Sequence, residues 1–322
     1  MTAFGYHASH EQHPPSRLLE YVRLAERAGL TAGMCSDHFH PWLDAQGESG
    51  FAWSWLGAAL EATSLSFGCV NAPGWRYHPT VIAQAAATLQ EMYPDRFWLA
   101  VGSGEALNEH VTGERWPPKG ERNARLLECV GVLRALWAGE TVTHHGRVTV
   151  EEARLYTRPE RPPPIFGAAL TPETAAWMGG WADGLITVGA PREALASLLG
   201  AFRDGGGEGK PVKIQAALAW APTAEEAAAA AHRQWRSNVL DTRLLAELRM
   251  PADFAAAAEF VSPALVAERI VVSHDTAVHA ERLNEYVELG ADEVYLFNVA
   301  PPQREFIERF AERVLPGLAG AR

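Results

Sequence analysis

Two short segments of the chain carry residue types that suit acid–base chemistry. The first contains Asp37, His38 and His40, and the second contains Glu105 and Asn108. A histidine with a carboxylate nearby can take up and return a proton near neutral pH. Each segment directly follows an apolar run typical of a buried strand, so its polar groups should lie just past a strand's carboxyl end. In parallel α/β proteins that is where ligands bind.

The elements that must position these segments alternate between strand and helix along almost the whole chain. A hairpin is predicted at residues 141–155, after the fourth strand, and a long helical stretch follows the seventh. This order favours a (β/α)8 TIM barrel formed by one domain, residues 1–322, with insertions after strands four and seven. The predicted barrel strands are residues 4–8, 31–35, 66–70, 96–101, 165–168, 183–188, 212–220 and 293–298.

The rival architecture is a doubly wound open sheet, which usually has a glycine-rich phosphate loop after its first strand. Here the first strand is followed by residues 9–13, which contain no glycine. Gly102 and Gly104 match a dinucleotide fingerprint only weakly, because the third glycine is missing. A barrel is therefore preferred, and it brings further polar residues to the same mouth. These are Glu11, Asn71, Thr187 and Asn298.

Other roles remain open for the same residues. Asp37, His38, His40 and Asp44 form a nitrogen and oxygen set that could bind zinc or manganese, as in a metal-dependent barrel hydrolase. Pro41 and Trp42 directly follow His40, and this pair suits a pocket wall better than a metal site. Glu105 could simply stabilise the start of the helix that follows it.

An anion could bind where a helix starts after the fifth strand. Thr171 and Pro172 form a good helix start, and Thr187 ends the sixth strand with a hydroxyl group. Backbone N–H groups at a helix start can hold a phosphate without any net positive charge. Ordinary capping would also explain Thr171.

The composition limits the class of partner. The net charge is −11, which disfavours binding to nucleic acid and to anionic membranes. The three cysteines are too far apart for a disulfide framework or a zinc spacing. Residues 1–6 lack the features of a signal peptide. We therefore expect a cytoplasmic protein with a small-molecule substrate.

Several motifs are specific enough to identify a family. Residues 5–12, 36–42, 76–85 and 102–109 match closely, and residues 182–184, 271–273 and 286–290 match moderately. On these motifs the chain resembles the bacterial luciferase-like superfamily of flavin- and deazaflavin-dependent oxidoreductases. Within it, the chain is most similar to the branch that contains deazaflavin-dependent glucose-6-phosphate dehydrogenase. The resemblance spans nearly the whole chain.

The resemblance implies a barrel with a flavin-type ring lying across its mouth. His38 would remove a proton from a substrate hydroxyl, Glu105 would protonate the ring, and Trp42 would pack near the reacting centre. Glu11 would face the substrate, and Asp37 would contact the cofactor's side chain. These roles describe hydride transfer between the cofactor and a small alcohol or carbonyl compound.

The resemblance also implies a set of cofactor contacts. Cys69 and Val70 fall where the family has a non-prolyl cis peptide bond behind the ring. The other implied contacts surround the ring, its ribityl chain or its phosphate. They are Ala72, Ser103, Gly104 and Asn108 near the ring and ribityl chain, and Ala168, Leu170, Thr171 and Thr187 near the phosphate.

The chain departs from this branch at the substrate phosphate. The dehydrogenases of the branch hold a sugar phosphate with basic residues, and one of these corresponds here to Ala190. Two others fall near Glu268 and Asn284, with Arg269 and Arg282 close by in the sequence. A site without cations binds a phosphate dianion poorly, so we do not expect glucose-6-phosphate to be the substrate.

A second difference from the dehydrogenases of this branch concerns the cofactor. Leu170 and Thr171 replace a glycine pair, and residues 7–10, 50–55 and 116–119 resemble a subgroup that uses ordinary flavin. On that basis we favour FMN over the deazaflavin coenzyme F420. Reduced FMN would permit oxygen activation by a monooxygenase, which a deazaflavin cannot readily perform. A non-catalytic flavin-binding protein is a further alternative, and family analogy alone suggests a homodimer.

Overall fold

The computed structural model describes residues 1–318, and it contains the alternation of strands and helices that the sequence predicts. The strands in those residues are β1 (Ala3–Ala8), β2 (Ala32–Cys35), β3 (Ser66–Asn71), β4 (Phe97–Val101), β5 (Val142–His145), β6 (Thr149–Ala153), β7 (Ile165–Ala168), β8 (Gly184–Val188), β9 (Val212–Ala219), β10 (Val271–Val272) and β11 (Glu293–Asn298).

Eight of these strands form a closed parallel barrel, which confirms the predicted fold class. Their order is β1-β2-β3-β4-β7-β8-β9-β11, and the pairing of β11 with β1 closes the ring. The predicted hairpin is the antiparallel pair β5–β6, and β10 adds to β9 beside the ring. Because all eight barrel strands run in the same direction, their carboxyl ends meet at one mouth.

The helices follow the strands as a (β/α)8 barrel requires. Several begin with proline at the first position, and one begins with a capping box between Thr223 and Glu226. In residues 1–318 the α-helices are α1 (Pro15–Arg27), α2 (Ala52–Ala62), α3 (Pro79–Met92), α4 (Ala106–Glu109), α5 (Lys119–Ala138), α6 (Pro172–Gly179), α7 (Arg192–Phe202), α8 (Ala224–Trp235), α9 (Thr242–Glu247), α10 (Pro251–Ala257), α11 (Pro263–Ala267), α12 (Thr276–Glu288) and α13 (Gln303–Arg313).

The barrel interior is filled by side chains and is not a channel. Lys213 lies near its amino end, with Nζ 2.5 Å from Glu293 Oε2 and over the ring faces of Trp98 and Phe166. A buried cation is tolerated when it is paired in this way. A ligand must therefore approach from the other end, where the strands finish. The interior packing includes Ala32, Met34, Trp98, Ala100, Phe166, Ile186 and Tyr295.

The predicted cis peptide bond at Cys69 and Val70 is wrong. Every peptide bond between residues 1 and 318 is trans. In the paired strand β3, Cys69 is in register with Cys35 and Leu99, and Val70 with Ala100. The extended strand thus continues unbroken through both residues to its end at Asn71.

None of the helices in residues 1–318 has the length and apolarity needed to cross a bilayer. The prediction of a single domain over residues 1–322 stays a prediction.

Candidate active site

The loops after β1 and β2 meet at the mouth in a buried carboxylate–imidazole pair. Glu11 Oε1 lies 3.5 Å from His38 Nε2. The hydroxyl of Ser36 donates to Glu11 Oε2, and that of Ser9 donates to the same oxygen at 3.0 Å. Burial alone would raise the pKa of Glu11, but the His38 imidazole and the Ser36 hydroxyl outweigh it and lower that pKa. Glu11 is therefore an ionised carboxylate beside an imidazole.

The His38 ring is held from its other side by Asn108 of the short helix α4, which follows β4. Its Nδ1 lies 3.2 Å from Asn108 Nδ2 and 3.3 Å from the carbonyl oxygen of His40. Asn108 Oδ1 accepts from the backbone N–H of Phe39 at 2.9 Å. The resemblance implies that Asn108 contacts the cofactor, but in this structure its amide joins the loops after β2 and β4. It thereby fixes the position of the His38 ring.

Trp42 lies beside His38, with ring centroids 5.2 Å apart, as expected for a residue near the reacting centre. Its other neighbour is Phe254 of α10, at 5.2 Å in an edge-to-face contact. Phe254 is fully buried in a small apolar cluster with Leu43, Leu107 and Leu245. The insertion after β9 thus packs over the mouth, a contact that the sequence did not indicate.

We expect the substitution Phe254→Ala to destabilise the protein by about 3–5 kcal/mol, because it leaves a cavity among these apolar side chains. Chemical denaturation measures this change. The matched substitution Phe260→Ala, at a side chain that is 91% exposed, should change the unfolding free energy by less than about 0.5 kcal/mol. Equal effects of the two substitutions would contradict the packing role of Phe254.

Glu105 occupies the N-cap position of α4, yet its side chain makes no capping hydrogen bond. The pKa of Glu105 is raised, mainly by burial. The Glu11 carboxylate adds to this rise, and His38 opposes it. A carboxyl group kept protonated can donate a proton. A capping hydrogen bond is absent in the structure, and the role of Glu105 as a proton donor stays a prediction.

Asp37 bonds three side chains of the protein. It accepts from Asn71 Nδ2 at 2.6 Å and from the Tyr77 hydroxyl at 3.0 Å, and it pairs with Arg76 Nη2 at 3.2 Å. Glu109 accepts from the Arg76 backbone N–H at 2.8 Å. Burial raises the pKa of Glu109 to about 7, against the opposing effect of Arg76. This network joins the loops after β2, β3 and β4 beneath the site.

The roles of Arg76, Tyr77 and Glu109 in this network were not predicted, although residues 76–85 contain one of the family motifs. A buried arginine between two carboxylates has no local signature in a sequence. Among residues 1–318, no three histidine, cysteine, aspartate or glutamate side chains converge as metal ligands would. His40, one of the residues considered as a metal ligand, bonds the Leu107 carbonyl through Nδ1 at 2.9 Å.

Within residues 1–318, two buried polar atoms near the ends of barrel strands have no hydrogen-bond partner. They are Asn71 Oδ1, at the end of β3, and Thr187 Oγ1, near the end of β8. Burying an unpaired polar atom costs about 1–3 kcal/mol, so such atoms usually bond a ligand or a water. The residues present therefore fit a cofactor that spans the mouth from β3 to β8.

The other predicted cofactor residues are distributed around the same mouth. Gly104 has a positive φ of 84°, and a Cβ there would come within 3.2 Å of the Ala72 Cβ, so the two loops touch. Thr171 caps α6, accepting from the Thr174 N–H at 3.3 Å. Cys69 is fully buried on the outer face of the barrel and presents no side chain to the mouth. Val70, Ser103, Ala168 and Leu170 are each partly or largely exposed there.

Comparison with known proteins identifies the family. The family model described as luciferase-like monooxygenase matches residues 1–293. The chain belongs to the luciferase-like monooxygenase family. It is 37% identical to an F420-dependent glucose-6-phosphate dehydrogenase of Beutenbergia cavernae, over 99% of this chain and 98% of that protein. It is 35% identical to the same enzyme of Mycobacterium tuberculosis, over 98% and 97% of the two chains.

The solved structures include a closely similar member of this luciferase-like family. An F420-dependent secondary alcohol dehydrogenase, in complex with an F420-acetone adduct, superposes with a TM-score of 0.90. It is 31% identical, and 99% of each chain is covered. The chain is thus an oxidoreductase of the flavin type, which confirms the predicted enzyme class. These relatives do not support the preference for FMN, because the name of each one specifies F420.

Proposed function

We propose that this chain is an F420-dependent oxidoreductase that transfers a hydride between the deazaflavin ring and a small, uncharged secondary alcohol or its ketone. One observation carries the proposal: Glu11 Oε1 lies 3.5 Å from His38 Nε2 at the same mouth as Glu105, whose pKa burial raises while the pKa of Glu11 is lowered. Oxidation of an alcohol releases one hydride and one proton. The chemistry therefore needs a proton acceptor near the substrate oxygen and a proton donor near the ring.

The residues at the mouth supply both proton transfers. When bound, F420 supplies the ring carbon that accepts the hydride. His38 takes the proton of the substrate hydroxyl, and the Glu11 carboxylate, 3.5 Å from Nε2, favours the resulting imidazolium. Glu105, whose pKa is raised by burial, would supply the proton that the bound ring requires. Trp42 and Phe254 keep water away from the reacting atoms.

The cofactor would be held by groups that otherwise lack partners. Asn71 Oδ1 would accept a hydrogen bond from the ring or its side chain, and Thr187 Oγ1 and the start of α6 would bind the phosphate. Ala72 and Gly104 would contact the ring. A reduced-FMN monooxygenase would use the same mouth, but the names of the relatives favour F420.

The charges near the mouth favour an uncharged substrate. By the resemblance described above, Ala190 stands where the related dehydrogenases have a basic residue. Arg282 of α12 lies beside it, with Nη1 3.5 Å from the Ala190 carbonyl oxygen, but the same atom is 3.2 Å from Glu285 Oε2. A guanidinium neutralised by its neighbour adds little affinity for a phosphate dianion. Glu11 at the mouth would also repel such a dianion.

Glucose-6-phosphate is the second candidate substrate. The relatives named for it are up to 37% identical over nearly the full chain. If Arg282 turned from Glu285 toward the mouth, it could supply the missing cation. The two candidates therefore differ in what they require of Arg282.

We expect the substitution Arg282→Gln to change kcat/KM for 2-propanol by less than about twofold, because an uncharged alcohol does not use the guanidinium. A phosphorylated substrate would lose roughly tenfold or more in kcat/KM, since a charge-assisted hydrogen bond would be removed. Steady-state reduction of F420 with each substrate measures both values. Arg192→Gln is the matched control, because Arg192 also pairs with α12, at 2.6 Å from Glu288. Higher kcat/KM for glucose-6-phosphate, lost selectively in Arg282→Gln, would contradict the uncharged substrate.

A further inference from the structure

A polar pair with no part in the proton transfers lies on the inner wall of the barrel. It is formed by His7 of β1 and Gln215 of β9, whose Nε2 lies 3.3 Å from both nitrogens of the His7 ring. Lys213 points into the barrel, so alternation along β9 places Gln215 on the same inner face, nearer the mouth. Gln215 is half-buried and in register with Val188, the last residue of β8, which is 38% exposed. The Gln215 amide therefore lies where the mouth is open.

The Gln215 amide is anchored through its nitrogen. His7 is buried, and this burial lowers the pKa of its imidazole to about 4, so the ring is neutral and one ring nitrogen accepts from the amide. The His7 ring packs on Phe297 with centroids 4.3 Å apart, and Trp235 of α8 meets Phe297 edge-on at 5.1 Å. Within residues 1–318 the hydrogen bonds of this amide run from its nitrogen to His7, and none reaches its oxygen. The Oε1 atom is thus left as an acceptor for a ligand.

The pair lies on the side of the mouth that holds the reacting groups. Ser9, two residues beyond His7, donates to Glu11 at 3.0 Å, and the charges of Glu11 and His38 both act on the His7 imidazole. The expected cofactor spans the mouth from β3 to β8. The strands β9, β11, β1 and β2 follow one another around the ring and line the remaining side. A substrate whose carbinol group meets His38 therefore extends along these strands toward Gln215.

We infer that Gln215 determines substrate specificity by accepting a hydrogen bond from a second hydroxyl group of the alcohol, and that His7 positions the Gln215 amide. This inference rests on the proposed oxidation of an alcohol. Both side chains are uncharged, so the pair suits a hydroxyl group better than a phosphate or a carboxylate. An alkyl chain in the same place would leave the amide oxygen unpaired, and such sites reject analogues that lack the hydroxyl. The preferred substrate is therefore an uncharged diol.

The test measures kcat/KM for F420 reduction with diols whose second hydroxyl lies one, two or three carbons from the carbinol carbon, and with the secondary alcohols that lack it. The unaltered protein should favour at least one diol over its matched alcohol by roughly tenfold or more. Gln215→Met keeps the length of the side chain but removes the amide, so it should abolish this preference. His7→Leu should lower the preference by a smaller factor, because the amide remains but loses its anchor. The matched control Gln84→Met, at an exposed position of α3, should leave the preference unchanged.

The outcomes separate this inference from the proposed function. If no diol is favoured, or if Gln215→Met lowers kcat/KM equally for diol and alcohol, the specificity role is overturned while alcohol oxidation stands. An unchanged preference in His7→Leu would overturn the positioning role of His7. If neither diols nor alcohols reduce F420, the proposed function is wrong, and calorimetric titration without turnover still decides the contact. The Kd of the diol should then rise roughly tenfold in Gln215→Met and that of the alcohol should not, whereas equal diol Kd values in the two proteins would overturn it.

Discussion

The substitution His38→Ala is expected to lower kcat for alcohol oxidation by about 10²- to 10⁴-fold, the usual contribution of a positioned general base. The Kd of F420 should change by less than about threefold, because the His38 ring contacts Glu11, Asn108 and Trp42 and would act on the substrate hydroxyl. Steady-state kinetics and fluorescence titration measure the two quantities. A base role also predicts partial rescue of the alanine variant by added imidazole.

A double-mutant cycle with Glu11→Gln tests the pair more directly. If the Glu11 carboxylate acts by favouring the imidazolium of His38, its substitution should cost little once the imidazole is gone. Independent, additive losses would show that the two residues act separately. Unchanged kcat in His38→Ala would remove this residue from the proton-transfer step altogether.

The substitution Glu105→Gln is expected to lower kcat by about 10²- to 10³-fold, since the amide keeps the shape of the side chain but donates no carboxyl proton. Burial raises the pKa of Glu105, so its protonated form persists to higher pH than that of an exposed glutamate. In the unaltered protein, kcat should fall as the pH rises through that raised pKa. In Glu105→Gln, this fall of kcat at alkaline pH, the alkaline limb of the pH profile, should be absent.

Stability provides a second readout for the same residue. A carboxyl group with a raised pKa in the folded state contributes stability that is complete below its unfolded pKa and is lost as the pH rises through the folded value. Glu105→Gln should therefore raise Tm relative to the unaltered protein at alkaline pH and change it little at acid pH. The substitution Glu114→Gln, at an exposed glutamate on the same side of the mouth, is the matched control. An alkaline limb that persists in Glu105→Gln would exclude Glu105 as the titrating acid.

The strands and the mouth could be predicted because they depend on local patterns. Buried parallel strands are short apolar runs, and polar groups that follow them must meet at one end of a barrel. The segments that contain His38 and Glu105 were found in this way. Their distances could not be predicted, because a distance between residues about 70 positions apart depends on packing that no local pattern encodes.

The unpredicted parts are contacts between distant loops. Asn108 was assigned to the cofactor by resemblance, yet its amide lies between Phe39 and His38. Asp37 was assigned similarly, and the structure pairs it with Arg76 and Tyr77. Each polar group there has several chemically suitable partners, and only the folded geometry selects among them.

The preference for FMN, which the named relatives do not support, and the cis peptide bond, which the structure lacks, have a related origin. Both were carried over from resemblance at a few positions, without regard to the surrounding structure. The glycine pair replaced by Leu170 and Thr171 does not remove the helix start, because Thr171 still caps α6. The replacement therefore says little about which phosphate binds there.

The most direct test of hydride transfer is a single-turnover experiment with F420 and 2-propanol that carries deuterium on the carbinol carbon. The account predicts that the visible absorption of F420 disappears without oxygen, that acetone forms in equal amount, and that the label appears in the reduced deazaflavin. Transfer of the label from another alcohol would change the substrate but keep the reaction class. Loss of absorption without label transfer from any alcohol, or substrate oxidation that requires reduced FMN and oxygen, would contradict the account.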